Sequence, residues 1–173
     1  MFLILDHKVN KIKLAPFQAL DKIKSWCAYQ ERSQSETRRK IRSFGLSEEE
    51  TESIIATLIE ENFLNEERFA TAFAGGRFRI KHWGKNKIRI ELKKHQISAY
   101  CINKAIAAIA DEDYDKALYA TIEKKLRFQS SGDRRKKFYT TLNYAVSRGF
   151  ESDLVTEKLN DILGKDTNYE FRT

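Results

Sequence analysis

Residues 46–59, LSEEETESIIATLI, contain the pattern that decides the fold. Ser47 and Glu50 have the spacing of a capping box, in which each side chain accepts a hydrogen bond from the other residue's backbone N–H at the start of a helix. Ile55 and Leu58 follow at a spacing that places both side chains on one helix face. The turn and the apolar pair return twice, at intervals of 51 and 53 residues. The three starting residues are Leu46, Ile97 and Phe150.

The repeat includes the helices around each turn. A longer and a shorter amphipathic helix precede the turn and a third helix follows it, as in a helix-turn-helix unit. The aligned apolar pairs are Ile55 and Leu58, Ile106 and Ile109, and Leu159 and Ile162. Such units bury their apolar faces against their neighbours. The sequence therefore predicts an all-α, elongated and curved molecule of three tandem three-helix repeats. The predicted boundaries are 1–14 for an N-terminal tail, 15–63, 64–111 and 112–163 for the repeats, and 164–173 for a C-terminal tail.

Local signals predict individual helices within these repeats. Pro16 suits a first helical turn, Gly45 suits a helix C-terminus, and Asn65 suits an N-cap. The last three helices are predicted at about 113–128, 133–147 and 152–163. The apolar stripe of the first helix is predicted to comprise Phe17, Leu20, Ile23, Trp26 and Cys27.

The composition and motifs of the chain argue against several classes of function. The chain has one proline and seven glycines, and no glycine-rich phosphate loop is among its motifs. Cys27 and Cys101 have no second cysteine or histidine at metal-ligand spacing, and the three histidines are scattered. We therefore expect no catalytic residue, metal, cofactor or small-molecule substrate. Without a signal-peptide core or a run of about 20 apolar residues, we expect a cytoplasmic protein with no membrane partner. We expect a monomer, because an open-ended array of repeats needs no second copy in order to fold.

Positive charge is concentrated in bands, one in each predicted repeat, and the net charge is +7. Residues 76–95, for example, contain eight Lys or Arg and a single acidic residue. A series of basic helices suits phosphates, with salt-sensitive binding that is nearly independent of sequence. The alternative is that acidic helices nearby balance each band. The predicted contact residues are Arg38, Arg39 and Lys40; Arg77, Arg79, Lys81, Lys85, Lys87, Arg89, Lys93 and Lys94; and Arg134, Arg135, Lys136 and Lys137.

Aromatic and basic residues alternate near the centre of the chain. Arg77, Phe78, Arg79, Trp83 and Lys85 form this segment. Bases stacking on Phe78 or Trp83 is one interpretation. Packing of both rings between helices is the interpretation that we favour, because large rings on amphipathic helices usually belong to the core.

Two other functions fit a basic helical repeat. A sequence-specific helix-turn-helix regulator would need Arg, Asn or Gln at the start of its recognition helix, whereas the helices after the three turns begin SEEE, SAY and ESD. A helical scaffold would bind protein alone, with little affinity for DNA and weak dependence on salt.

Four strings together resemble the RecX family, regulators of the RecA recombinase. They are residues 27–40 (CAYQERSQSETRRK), 63–70 (FLNEERFA), 84–94 (GKNKIRIELKK) and 148–150 (RGF). The resemblance covers about residues 15–163. The chain departs from the family pattern at Asn65-Glu66, where paired aspartates are common, at Asn86, and at His95-Gln96 in place of a turn glycine.

The resemblance implies three tandem three-helix repeats and a protein that binds in the groove of the RecA–DNA filament. It further implies negative modulation of ATP hydrolysis, strand exchange and co-protease activity in recombination, DNA repair and the SOS response. The expected partners are the RecA filament and single- and double-stranded DNA, bound without sequence specificity.

Overall fold

The computed structural model describes residues 14–129 and 133–165, in which every regular element is a helix. The nine helices of these ranges are α1 Pro16–Tyr29, α2 Gln34–Arg42, α3 Glu48–Glu60, α4 Glu66–Lys81, α5 Lys85–Lys94, α6 Ala99–Ala107, α7 Asp111–Arg127, α8 Arg134–Ser147 and α9 Ser152–Lys165. The predicted all-α fold is confirmed. Nearly all of the two predicted tails, namely residues 1–13 and 166–173, lies outside the described residues.

The predicted caps are present. The Glu50 carboxylate accepts a hydrogen bond from the Ser47 backbone N–H at 2.7 Å, and the Ser47 hydroxyl accepts one from the Glu50 N–H at 3.2 Å. Asn65 Oδ1 accepts from the Arg68 N–H at 2.9 Å. These bonds satisfy backbone donors that have no partner inside the helix, so each helix begins where the sequence places the cap.

The three turns share one backbone conformation. Gly45, Gln96 and Gly149 precede the three aligned residues and have φ of 84°, 61° and 97°. Each following residue, Leu46, Ile97 or Phe150, is buried. A left-handed residue turns the chain sharply enough for the next side chain to enter the core. The second turn achieves this without glycine.

Replacing Gln96 with glycine is expected to raise the free energy of unfolding by about 0.5–1 kcal/mol, because glycine adopts φ of 61° without the steric cost of a Cβ. Urea denaturation followed by circular dichroism measures the change. Gln30 is a matched control, since it also follows a helix but has φ of −156°. Gln30→Gly should lower stability, and equal loss in both variants would contradict the argument.

The chain divides into two compact units after Phe69, within α4. In the first unit, α1, α2 and α3 pack against one another around Ile23, Ile41 and Leu58, which are fully buried. The predicted α1 stripe is wrong at Phe17, which is 67% exposed. The buried face of α1 is centred on Ala19, Ile23 and Cys27 instead, because these residues recur every four positions.

In the second unit, α8 packs against both α7 and α9, and α5 packs against α6. Among the six residues of the aligned apolar pairs, only Ile162 is not buried; it is half-buried, and its neighbour Leu163 fills the core. None of the described helices is long and apolar enough to cross a membrane. The division into three repeats at the boundaries given above stays a prediction.

Two turns of the second unit touch through their backbones. The Gly84 N–H donates to the Arg148 carbonyl at 2.9 Å, and the Asn86 N–H donates to the Gly149 carbonyl at 3.0 Å. The Arg148 guanidinium also donates to the Lys81 carbonyl. These bonds hold the N-terminus of α5 against the α8–α9 turn.

Candidate nucleic-acid interface

The first basic band lies on α2, and one of its three residues is already paired. Arg38 Nε and Nη2 donate to the two carboxylate oxygens of Glu52 at 2.7 and 2.9 Å. These hydrogen bonds hold the pKa of Glu52 below its ordinary value. Arg39 is exposed, and Lys40 Nζ lies 5.3 Å from the centroid of the Phe44 ring. Within the described residues, Arg39 and Lys40 have no carboxylate partner, so they remain available to an external anion.

Trp83 brings two residues of the second band together. The Arg77 guanidinium carbon lies 5.2 Å from the Trp83 ring and 4.8 Å from Phe73, and Lys87 Nζ lies 4.9 Å from Trp83. Neither cation has an ion pair in the described parts of the chain. Cation–π contacts position both charges without neutralising them. They also occupy the space over the indole that a stacking base would need.

Phe78 is not available to a base either. Its side chain is only 9% exposed, and its ring lies 6.0 Å from that of Tyr114. The interpretation that Phe78 packs between helices is confirmed, and the stacking alternative is wrong at this residue. Trp83 is half-buried and covered by the two cations.

Lys85 belongs to a different environment, on the α7 side of α5. Its ammonium lies 2.9 Å from Asp111 Oδ1 and 4.5 Å from the Tyr114 ring centroid. The Tyr114 hydroxyl donates to Glu151 Oε2 at 2.5 Å and accepts from the Lys85 backbone N–H at 3.1 Å. Burial, together with the bond to Glu151, raises the pKa of Tyr114, which therefore stays neutral. Lys85 thus serves to join helices of this unit.

Arg79 lies apart from Arg77 on α4. Its guanidinium folds back over Gly75, where an added Cβ would lie 2.9 Å from Arg79 Nη1. Arg79 also lines a small cavity of about 160 Å³ with Ala105 and Asp113. Arg77 contacts Phe73 instead, and residues two positions apart lie on nearly opposite sides of a helix. The central band is therefore not one continuous surface.

The remaining residues of the second band are mostly unpaired. Lys81 and Lys93 are exposed and Arg89 is half-buried, and none of the three has a carboxylate partner among the described residues. Lys94 Nζ lies 2.7 Å from Glu91 Oε1, and this hydrogen bond lowers the pKa of Glu91. Among the basic residues of α5, Lys85 and Lys94 are therefore the two whose charge is paired with a carboxylate in the described residues.

The third band occupies the first turn of α8. Arg134, Arg135 and Lys136 are exposed, Lys137 is half-buried, and none forms an ion pair within residues 14–129 and 133–165. Positive charge is unfavourable at this end of a helix, where the macrodipole is positive. The Asp133 carboxylate caps the helix by accepting from the Arg135 N–H at 2.9 Å. The four cations therefore lie where the helix macrodipole disfavours them.

Two aromatic residues that were not among the predicted contact residues follow this band. Tyr139 is 51% exposed, and it contacts Phe138 edge to face at 5.5 Å between ring centroids. The signal was present in the sequence, because the pair directly follows the basic run RRKK. Exposure of one ring and partial burial of the other depends on α9, so periodicity alone does not reveal it.

Comparison with known proteins identifies the family. The family model for the second three-helix domain of RecX matches residues 65–106. Regulatory protein RecX of Prosthecochloris aestuarii is 31% identical over 150 residues, which cover 84% of this chain and 94% of that relative. Regulatory protein RecX of Thermotoga maritima is 31% identical over 137 residues, 79% of each chain.

Two solved structures have the same fold. A crystal structure of regulatory protein RecX has a TM-score of 0.75 at 17% identity and covers 87% of this chain and 73% of its own. The crystal structure of RecX from Lactobacillus salivarius has a TM-score of 0.74 at 19% identity, with coverage of 89% and 97%. The order of motifs, the sequence identity over most of both chains and the shared fold lead to one conclusion: this chain belongs to the RecX family of regulatory proteins.

Proposed function

We propose that this protein binds the RecA–DNA filament through its unpaired basic residues and, without being an enzyme, lowers RecA ATP hydrolysis, strand exchange and co-protease activity. The observation that carries the proposal is that most of the fifteen predicted contact residues form no ion pair in the part of the chain that the structure describes. Within the described residues, all but Arg38, Lys85 and Lys94 lack a carboxylate partner. Membership of a family of RecX regulatory proteins supports the same partner.

Unpaired cations favour a polyanion for a physical reason. Each cation repels its neighbours along the helix, and a phosphate backbone relieves that repulsion while it releases its own condensed counterions. Arg77 and Lys87 are already oriented by Trp83, so less side-chain entropy is lost when they meet phosphates. Such contacts position a protein on nucleic acid without reading base sequence.

Each of the two units has a helix with an acidic first turn, which suits contact with protein. The first turns of α3 and α7 carry Glu48–Glu50 and Asp111–Asp113. Negative charge there is favourable to the helix dipole and would repel a phosphate backbone. This argues against the helix-turn-helix alternative, in which α3 would enter the major groove. A nucleoprotein filament presents both phosphates and protein. It therefore suits a chain with both basic bands and acidic helix starts better than DNA alone does.

The decisive experiment adds the purified chain to RecA filaments on single-stranded DNA and follows ATP hydrolysis at several salt concentrations. We expect hydrolysis to fall at protein concentrations well below that of RecA. Inhibition should weaken as salt increases, because the phosphate contacts are screened. Unchanged hydrolysis at equimolar protein and low salt would reject the proposal. Binding to RecA that is insensitive to salt would favour the protein scaffold instead.

A further inference from the structure

A basic and aromatic groove lies between the start of α8 and the end of α9, within the second unit. It has a volume of about 420 Å³ and is open on one side. Its lining includes Arg134, Arg135, Phe138, Tyr139, Asn160 and Leu163. The volume accommodates a nucleoside, and the lining combines rings, cations and an amide.

Tyr139 gives this groove an accessible ring. It is 51% exposed, its hydroxyl has no hydrogen-bond partner in the described ranges, and Phe138 supports it at 5.5 Å. The Arg135 guanidinium carbon lies 6.0 Å from the Tyr139 centroid, at the outer limit of a cation–π contact. Trp83 differs, because two cations lie within about 5 Å of its centroid. Tyr139 is therefore better placed than Trp83 to stack on a base.

The charges of the groove select a nucleotide over an apolar peptide segment. Arg134 and Arg135 have no ion pair within the described residues, and Lys136 and Lys137 follow them. Asp133 is the only acid among the described residues that line the groove, and its carboxylate is engaged as the cap of α8. A flat aromatic face beside free cations suits a flat base joined to a phosphate.

We propose that this groove binds one nucleotide of a single DNA strand, with its base stacked on Tyr139 and its phosphates held by Arg134 and Arg135. The inference rests on the proposed function and specifies where a strand of the filament's DNA contacts the chain. The strand is single because bases of a duplex are stacked on each other and do not present their faces. Asn160 lines the groove on the α9 side and supplies an amide to the base edge.

The test measures binding of the full chain to fluorescent oligonucleotides by anisotropy. One oligonucleotide is oligothymidine, and the other has the same number of phosphates but abasic sugars. We expect Tyr139→Leu to weaken oligothymidine binding about tenfold, since stacking on one aromatic side chain is worth roughly 1–3 kcal/mol. Binding of the abasic strand should not change, and Tyr139→Phe should retain full affinity because it keeps the ring.

Tyr119→Leu is the matched control. Tyr119 is 46% exposed on α7, and Asp115 and Glu123 lie one helical turn on either side of it. Its replacement should leave both affinities unchanged. Equal affinity of wild type and Tyr139→Leu for oligothymidine would overturn the proposal. Equal losses on the two oligonucleotides would also overturn it, because they would indicate a change of fold.

Failure of this inference is distinguishable from failure of the proposed function. If the chain inhibits RecA ATP hydrolysis but Tyr139→Leu binds oligothymidine normally, the groove assignment is wrong and the proposed function stands. If Tyr139→Leu loses oligothymidine binding selectively but the wild type leaves ATP hydrolysis unchanged, the groove is supported and RecA modulation is rejected.

Discussion

Gly84→Ala is expected to lower the free energy of unfolding by about 3–4 kcal/mol, because the second unit has no room for a methyl group there. A Cβ at Gly84 would lie 2.2 Å from the backbone carbon and oxygen of Gly149 and 2.3 Å from the Phe150 nitrogen. These are backbone atoms, so no side-chain rotation relieves the contact. Relief requires α5 to move away from the α8–α9 turn, with loss of the Gly84–Arg148 and Asn86–Gly149 hydrogen bonds.

The steric contact is the main reason for this expectation. Gly84 has φ of −73° and ψ of 163°, which alanine adopts readily, so backbone strain does not contribute. Gly76→Ala is the matched control, because a Cβ on that helical residue meets no atom within 4 Å beyond the nearby backbone of its own helix. It should raise stability by about 0.5–1 kcal/mol. Urea denaturation measures both changes. A Gly84→Ala variant as stable as wild type would show that the two turns do not pack as described.

Reversing the charge of Lys87, Arg89, Lys93 and Lys94 to Glu is expected to weaken filament binding on the order of a hundredfold near physiological salt. Attraction to phosphates becomes repulsion at these four positions of α5. Because Lys94 is already paired with Glu91, three of the four residues are free to contact phosphates. The slope of log affinity against log salt should therefore fall by about 3. Sedimentation of the protein with RecA filaments over a range of salt measures both quantities.

Helicity by circular dichroism should stay unchanged in this variant, because Ile88 and Leu92 bury α5 and are retained. The double variant Lys116→Glu, Lys158→Glu is the matched control. Both lysines form ion pairs, at 2.7 Å with Glu112 and with Asp115, and lie outside the basic bands. We expect less than a threefold change for the control. Similar losses in the two variants would reveal a response to net charge, and no loss in either would reject the α5 contact surface.

Local features of the structure were predictable from sequence. The caps at Ser47 and Asn65 and the left-handed residue before each aligned turn depend on neighbours within about four positions. The turn at Gln96 was predictable even without a glycine, because Gln96 occupies the position in its repeat that Gly45 and Gly149 occupy in the other two. Phe17 marks the limit, since periodicity identifies an apolar stripe but not which edge of it meets the core.

The sequence by itself determined the helices, their caps and turns, and the position of each basic band along the chain, because these depend on residues that are neighbours in the polypeptide. Tertiary structure decided which charges remain available. Arg38 is neutralised by Glu52 and Lys85 by Asp111, partners 14 and 26 residues away. It also decided that Tyr139 lines a groove with residues of α9. Ion pairing and exposure depend on distances in space between distant residues, and these distances exist only once the helices have packed.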